Sequence, residues 1–375
     1  MHKHFKSWGL VALSLSCLAA KAHADVDPAQ MRNLENRVSS LEQRKGASGV
    51  INPSARPEIK NGADLFLLAD LLVWQAHEDG LPLYIKNEGS SSDLSHSHVG
   101  SFDWNWNAGC RVGVGYNTPH DGWDLSAVWL HFNTDAHRQA HAHSDEVLQP
   151  TLTHPAEINP ALGPQMGPGP FQKNHSDWGM NLNQIDLALG REYYVSKWLT
   201  LRPHIGLRTA WVHQHLNVKY NRLLSNGQFL AGADDHLHFH SNFWGLGLAA
   251  GLDTQWGLGG GWSIFGDAAC GFLYGFHDLD RDDTVRFNTA FEWAGVDWSY
   301  RVSRAIADLA MGLRFDTWTN DERLHFRLQA GWEHHIYFNQ NQFIRFVDDV
   351  AIGTFVNNQG DLTLQGWTLS ARFDF

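Results

Sequence analysis

The chain alternates. Over Phe102–Tyr116 the even positions Phe102, Trp104, Trp106, Ala108, Cys110, Val112, Val114 and Tyr116 are apolar, and the odd positions are polar or glycine. A period of two sends the two sets to opposite faces of a β-strand. Such a stretch is far longer than the five or six residues usual in soluble sheets. Trp104 and Tyr116 are separated by roughly 30 Å along a membrane normal, taking about 3.3 Å per residue and a tilt near 40°. That spacing suits a strand with apolar side chains in lipid and an aromatic ring at each interface.

Nine further segments repeat the pattern. The predicted strands are 64–76, 102–116, 122–133, 180–193, 199–212, 243–256, 261–276, 302–317, 323–337 and 362–375. Aromatic residues recur at the same spacing in Trp244/Trp256 and Trp262/Tyr274. Links after the even-numbered strands are short and links after the odd-numbered ones are long. This predicts an all-β fold: a transmembrane antiparallel up-and-down β-barrel of about ten strands. Twelve or more strands stay open, because 214–240 and 337–360 have room for extra hairpins. An even count puts both termini on the periplasmic side.

The first 62 residues read differently. Lys3 and Lys6, the apolar run Leu10–Leu18 and Ala22-His23-Ala24 predict a signal peptide over 1–24. Met31, Leu34, Val38 and Leu41 repeat at heptad a and d positions, flanked by Glu35, Glu42, Arg37 and Arg44. The expectation for 25–62 is a short periplasmic coiled-coil helix over 28–45 plus a linker, able to join subunits into a homo-oligomer. A lone amphipathic helix is the alternative. The barrel domain is 63–375.

Composition narrows the function. The net charge of −12 argues against a nucleic-acid partner. No run of eighteen apolar residues predicts a membrane helix. Seventeen Trp and 35 Gly suit interfaces and a crowded barrel wall. After signal cleavage only Cys110 and Cys270 remain, both on the predicted lipid face, so no disulfide framework is expected.

Three blocks carry a family resemblance: RVGVGYNTPHDGWDL at 111–125, NQIDLALGREYYVSKWLTLRPHIGLRTAWVHQ at 183–214, and the closing WTLSARFDF. They resemble the Legionella-type major outer membrane protein family, which also occurs in chlamydia-related bacteria. The likeness covers most of the chain after about residue 60. It implies a pore in the bacterial outer membrane, with oligomeric assembly open, and transfers no catalytic motif.

Positions between the lipid-facing ones line the predicted lumen. They include Asp103, Arg111, Asp124, Asp186, Arg202, His204, Arg208, Asp253, Asp267, Asp308, Arg314, Arg327 and Glu333. With Asp70, Glu192, Asp316, Asp374 and Arg372 this makes eleven acids against six arginines. One reading is an internal salt-bridge lattice that fills the barrel. The other is a porin-like conduit for ions and small solutes with mild cation preference, constricted at Arg202, His204 and Arg208. Inward glycines such as Gly206 and Gly247 either leave room for water or allow tight bends. Lipid-interface aromatics are Trp104, Tyr116, Trp244, Trp256, Trp262 and Tyr274.

Histidine is abundant, at 23 residues, and many fall in predicted outer loops, among them His96, His98, His137, His141, His143, His154, His175, His236, His238, His240 and His277. His-x-His spacing on an extended chain could hold Zn²⁺ or Cu²⁺. The alternative to a pore is therefore a filled structural barrel or adhesin, with loops that bind a host surface or a metal. Asp235-His236 and His277-Asp278 sit in no catalytic motif, so neither an enzyme nor a cofactor is expected. The expected partners are outer-membrane lipid and, on the adhesin reading, a host surface ligand.

Overall fold

The computed structural model describes residues 52–375, apart from 61, 89–95, 120, 144–145, 158–169, 224–228, 288 and 320–321. The expected signal peptide, the expected 28–45 helix and most of the expected linker lie outside the described residues. Ten long strands form the wall: β1 Leu65–Glu78, β2 Trp106–Asn117, β3 Trp123–His141, β4 Phe171–Arg191, β5 Leu199–Leu223, β6 Phe229–Gly259, β7 Trp262–Phe287, β8 Thr289–Thr319, β9 Leu324–Asn341 and β10 Gly360–Asp374. Each pairs antiparallel with its sequence neighbours, and β10 pairs back onto β1 to close the ring. The closure is tied at the C-terminal residue, where Phe375 N donates to Leu65 O at 3.0 Å and Leu65 N donates to Phe375 O at 3.2 Å. A closed sheet leaves no backbone edge exposed to lipid.

All ten predicted strands are present, and the count is ten. Strands β5 to β8 run well past their predicted ends, with β6 and β8 each 31 residues long. So the described residues of 214–240 form no extra hairpin; they are the upper parts of β5 and β6, paired with each other. The described pairs reach Leu223↔Phe229 and Phe287↔Thr289, so the spans after β5 and β7 are far shorter than expected. In the link before β10, Ile344–Phe346 pairs with Phe355–Asn357 as a small separate sheet. In the link after β1, Tyr84–Glu88 pairs with Ser97–Gly100 and with Glu146–Pro150.

The long strands reverse their polarity part of the way up. On β5 the outward side chains Leu199, Leu201, Ile205, Leu207 and Trp211 give way to His213, His215, Asn217 and Lys219. Inward, Arg202, His204 and Arg208 give way to Val212, Leu216, Val218 and Tyr220. β6 changes at Trp244 and β7 at Phe276, which are register partners. Below this line the barrel is apolar outside and polar inside, as lipid demands. Above it the barrel is polar outside and apolar inside, as water demands. The lower part forms a lipid belt; the upper part stands clear of it.

One predicted strand is broken. Between Gly109↔Phe132 and Trp104↔Ala136 the register slips by one residue at Asn105. A one-residue slip sends side chains to the opposite face. Phe102 is therefore buried and Trp104 packs edge-on against buried Trp178, at 5.0 Å between ring centroids. Trp104 is not a lipid-interface residue, and Trp106 takes the outward position at 50% exposure. Asp103 turns outward to pair with Arg138 at 2.5 Å, with its side chain 74% exposed, so it does not line the lumen.

Candidate functional site

The inner face of the lipid belt brings the other predicted charged residues together. Arg111 bridges Asp70 at 2.9 Å and Glu333 at 2.6 Å. Arg202 bridges Asp124 at 2.5 Å and Asp253 at 2.7 Å, and His204 lies 3.5 Å from Asp253. Arg208 bridges Asp186 and Asp308, both at 2.6 Å. Arg327 bonds Asp316 at 2.8 Å and reaches Glu192 at 4.0 Å. Arg314 donates to Gln255 Oε1 at 2.8 Å. Arg372 bonds Asp374 at 2.6 Å and covers the Phe66 ring at 3.7 Å.

These contacts are not confined to neighbouring strands. Arg111 on β2 reaches Glu333 on β9, and Arg208 on β5 reaches Asp308 on β8, each three places round the ring. The chords cross the lumen, and a guanidinium fork suits the task because it can hold two carboxylates at once. His335, missed by the sequence reading, joins the chords: it lies 2.7 Å from Asp308 and 3.0 Å from Glu333. Its parity on β9, two residues from Glu333, was the signal that could have found it.

Two cavities remain between the chords. One, of about 290 Å³, is lined by Arg111, Arg202, His204, Arg208, Asp253, Asp267 and Asp308 among others. The second, of about 180 Å³ towards the termini, shares Arg202, Asp253 and Asp267 with it and adds Arg314 and Arg327. Asp267 faces Asp253 in register across β6 and β7. Its Oδ1 is enclosed with no hydrogen-bond partner. The glycines contribute little clearance. A Cβ on Gly206 or Gly247 would sit 1.8 Å from a carbonyl oxygen of the adjoining strand, so these residues permit close strand approach.

The loop end is closed by an apolar core. Leu83, Leu148, Leu152 and Phe343, from three separate links, are each at most 2% exposed and pack among Phe132, Trp178, Val212, Phe239 and Phe243. Arg281 latches two of the links. It bonds Asp283 at 2.6 Å, donates to the carbonyls of Ile344 and Leu152 at 2.7 Å each, and stacks between Phe239 and Phe346. Tyr220 holds the third through the carbonyl of Leu83.

Tyr116, Trp244, Trp256, Trp262 and Tyr274 stand on the outer wall, between 40% and 55% exposed. Cys110 and Cys270 are free thiols on the same wall. The histidines divide. His277, expected in a loop, is buried between Ser241 and Arg304, and His154 is buried against Phe346. Many of the others stand on the outward face of the strand extensions. Among the described residues no group of three His, Cys, Asp or Glu side chains is placed to hold a metal ion.

A closed ten-strand barrel with an apolar outer belt and a charged interior defines an outer-membrane β-barrel protein. Residues 56–375 match the family described as Legionella pneumophila major outer membrane protein precursor, and the chain belongs to that family. No curated relative matches it. Among solved structures it is similar to the toluene transporter TodX of Pseudomonas putida, with 12% identity, 87% of this chain and 93% of that one covered, and a TM-score of 0.29. A major outer membrane protein of Thermus thermophilus gives 11%, 83%, 99% and 0.27. The translocator domain of autotransporter NalP from Neisseria meningitidis gives 10%, 94%, 100% and 0.27. At these scores none of the three bears on what this chain carries.

Proposed function

We propose that the protein is a narrow outer-membrane pore for ions and small solutes, with mild cation preference, and that its mouth is shut in the conformation described. The supporting observation is the pair of adjoining charged cavities in the lipid belt, where Asp267 stands opposite Asp253 without a cation of its own. A pair of carboxyl groups facing one another, one of them without an arginine partner, favours a mobile cation over an anion between them. With Asp103 removed, ten acids still face six arginines. Passage requires displacement of the apolar plug that Arg281 and Tyr220 hold. The reversal potential of the refolded protein under a KCl gradient tests the preference; anion selectivity would overturn it.

The apolar plug itself favours a second reading, a filled barrel whose loop end binds a host surface. Deleting the 343–357 segment separates the two. A pore gains conductance; an adhesin loses cell attachment and stays silent. In both readings the termini are periplasmic, residues 1–24 direct export, and the 28–45 helix joins subunits, which chemical cross-linking of a 28–45 deletion tests.

A further inference from the structure

The outward face just above the lipid belt carries a groove of about 480 Å³. Gly179 on β4, in its lining, makes room for the His215 imidazole, which covers the position: a Cβ there would lie 2.3 Å from that ring. Its walls are Asn133 on β3, Asn181 on β4, His213 on β5 and Asn242 on β6, consecutive partners in one register row. The next row on the side of the termini holds Trp211 and Trp244, the last outward apolar side chains of their strands among the described residues.

The row is internally hydrogen-bonded, yet leaves capacity. Asn181 donates to Asn133 Oδ1 at 2.9 Å, and His213 Nδ1 meets Asn242 Oδ1 at 2.9 Å. Asn133 and Asn242 thus use their oxygens, and both amide NH2 groups have no protein partner among the described residues. With Nδ1 of His213 donating, its Nε2 remains an acceptor. Donors and an acceptor on one shallow wall match the hydroxyl, ester and amide groups of an acylated sugar. Neither Lys nor Arg lines the groove, while the Asp135 carboxylate does, beside the imidazoles of His215 and His240, so a bare phosphate finds no permanent cation there.

Position selects the occupant. The groove opens sideways, directly above side chains that face acyl tails, so whatever seats in it stands beside the barrel in the same leaflet. We infer that this groove binds the sugar headgroup of an outer-leaflet glycolipid, whose acyl chains lie along the belt below Trp211 and Trp244. The orientation of the barrel is the one proposed above; the site itself does not depend on conduction.

The test is native mass spectrometry of the refolded full-length protein with purified lipid A, with phosphatidylglycerol as the comparison lipid. Two variants are measured: Gly179→Phe, which fills the groove, and Asn133→Ala/Asn242→Ala, which removes the two free amides. A heat-dependent shift on gel electrophoresis verifies that each barrel is closed. Lipid A retention should fall roughly tenfold in the double variant, as two hydrogen bonds are lost, while phosphatidylglycerol retention is unchanged. Deacylated headgroup should bind wild type more weakly than lipid A. The proposal is overturned if folded variants of either kind keep wild-type lipid A retention, if both lipids weaken equally, or if deacylated headgroup binds as tightly as lipid A.

Discussion

Tyr337 donates its hydroxyl proton to Gln184 Oε1 at 2.7 Å, and the two residues stand on strands β9 and β4, opposite one another in the ring. One hydrogen bond therefore spans the full width of the lumen. It lies between the charged chords of the belt and the apolar plug, and both partners are buried. The bond caps the larger cavity, which Gln184 helps to line. Tyr337→Phe should cost about 1 kcal/mol of stability, seen as a lower thermal midpoint of the folded barrel in detergent. If the cap matters for passage, the same variant conducts more than wild type.

Arg281 is the stronger closure. Replacing it leaves Asp283 buried without its cation, a loss of roughly 3–5 kcal/mol for a broken buried pair. The wall does not depend on this contact, because its strands are joined through their own backbone ladders. Arg281→Met should therefore loosen the links and spare the barrel. Limited proteolysis checks this: new cleavage within 146–157 and 342–358 is expected, with the barrel core protected.

Arg208 holds Asp186 and Asp308 at once across the belt. Arg208→Met leaves Asp186 without its cation and Asp308 with His335 alone, and should destabilise the barrel by several kcal/mol. Adding Asp308→Asn should recover part of that loss. A double-mutant cycle on thermal midpoints gives the coupling; strictly additive losses would show that the chord contributes little.

The fold was legible because lipid imposes one rule on every strand. Outward Leu, Val and Trp alternating with inward Arg, Asp and Gly can be read without knowing the partner strand. The reading stopped at Trp211, Trp244 and Phe276 because the rule inverts there. His213 and Val212 still alternate, but with the apolar residue now inside. Trp104 and Asp103 misled for a different reason: the alternation from Phe102 to Tyr116 is unbroken in the sequence, while the ladder slips at Asn105. A slip is a property of two strands and leaves no mark in one. The lumen charges were visible by parity; which of them pair across the ring depends on closure and was not.

Glu146 offers a pH test outside the membrane. The backbone N–H of His143 and the Lys86 ammonium, 3.0 and 2.9 Å away, hold its carboxyl below the ordinary value of 4.5. A depressed folded value means that the contribution is present above the unfolded pKa and is lost as pH falls through the folded one. The amide proton shift of His143 should titrate with a midpoint below 4.5, and Glu146→Gln should abolish that titration. A midpoint at or above 4.5 would contradict the pairing.

Cys110 and Cys270 provide native probes of the belt. A nitroxide on either thiol should be relaxed by oxygen, which partitions into lipid, and shielded from a water-soluble nickel chelate. The opposite pattern would place those positions in water.

The central claim, a charged lumen shut by an apolar plug, is tested most directly by single-channel recording from wild type and Arg281→Met side by side in planar bilayers. The account predicts rare, small openings in wild type and a higher open probability in the variant. Silence from both, with the barrels shown to be folded and inserted, would contradict it.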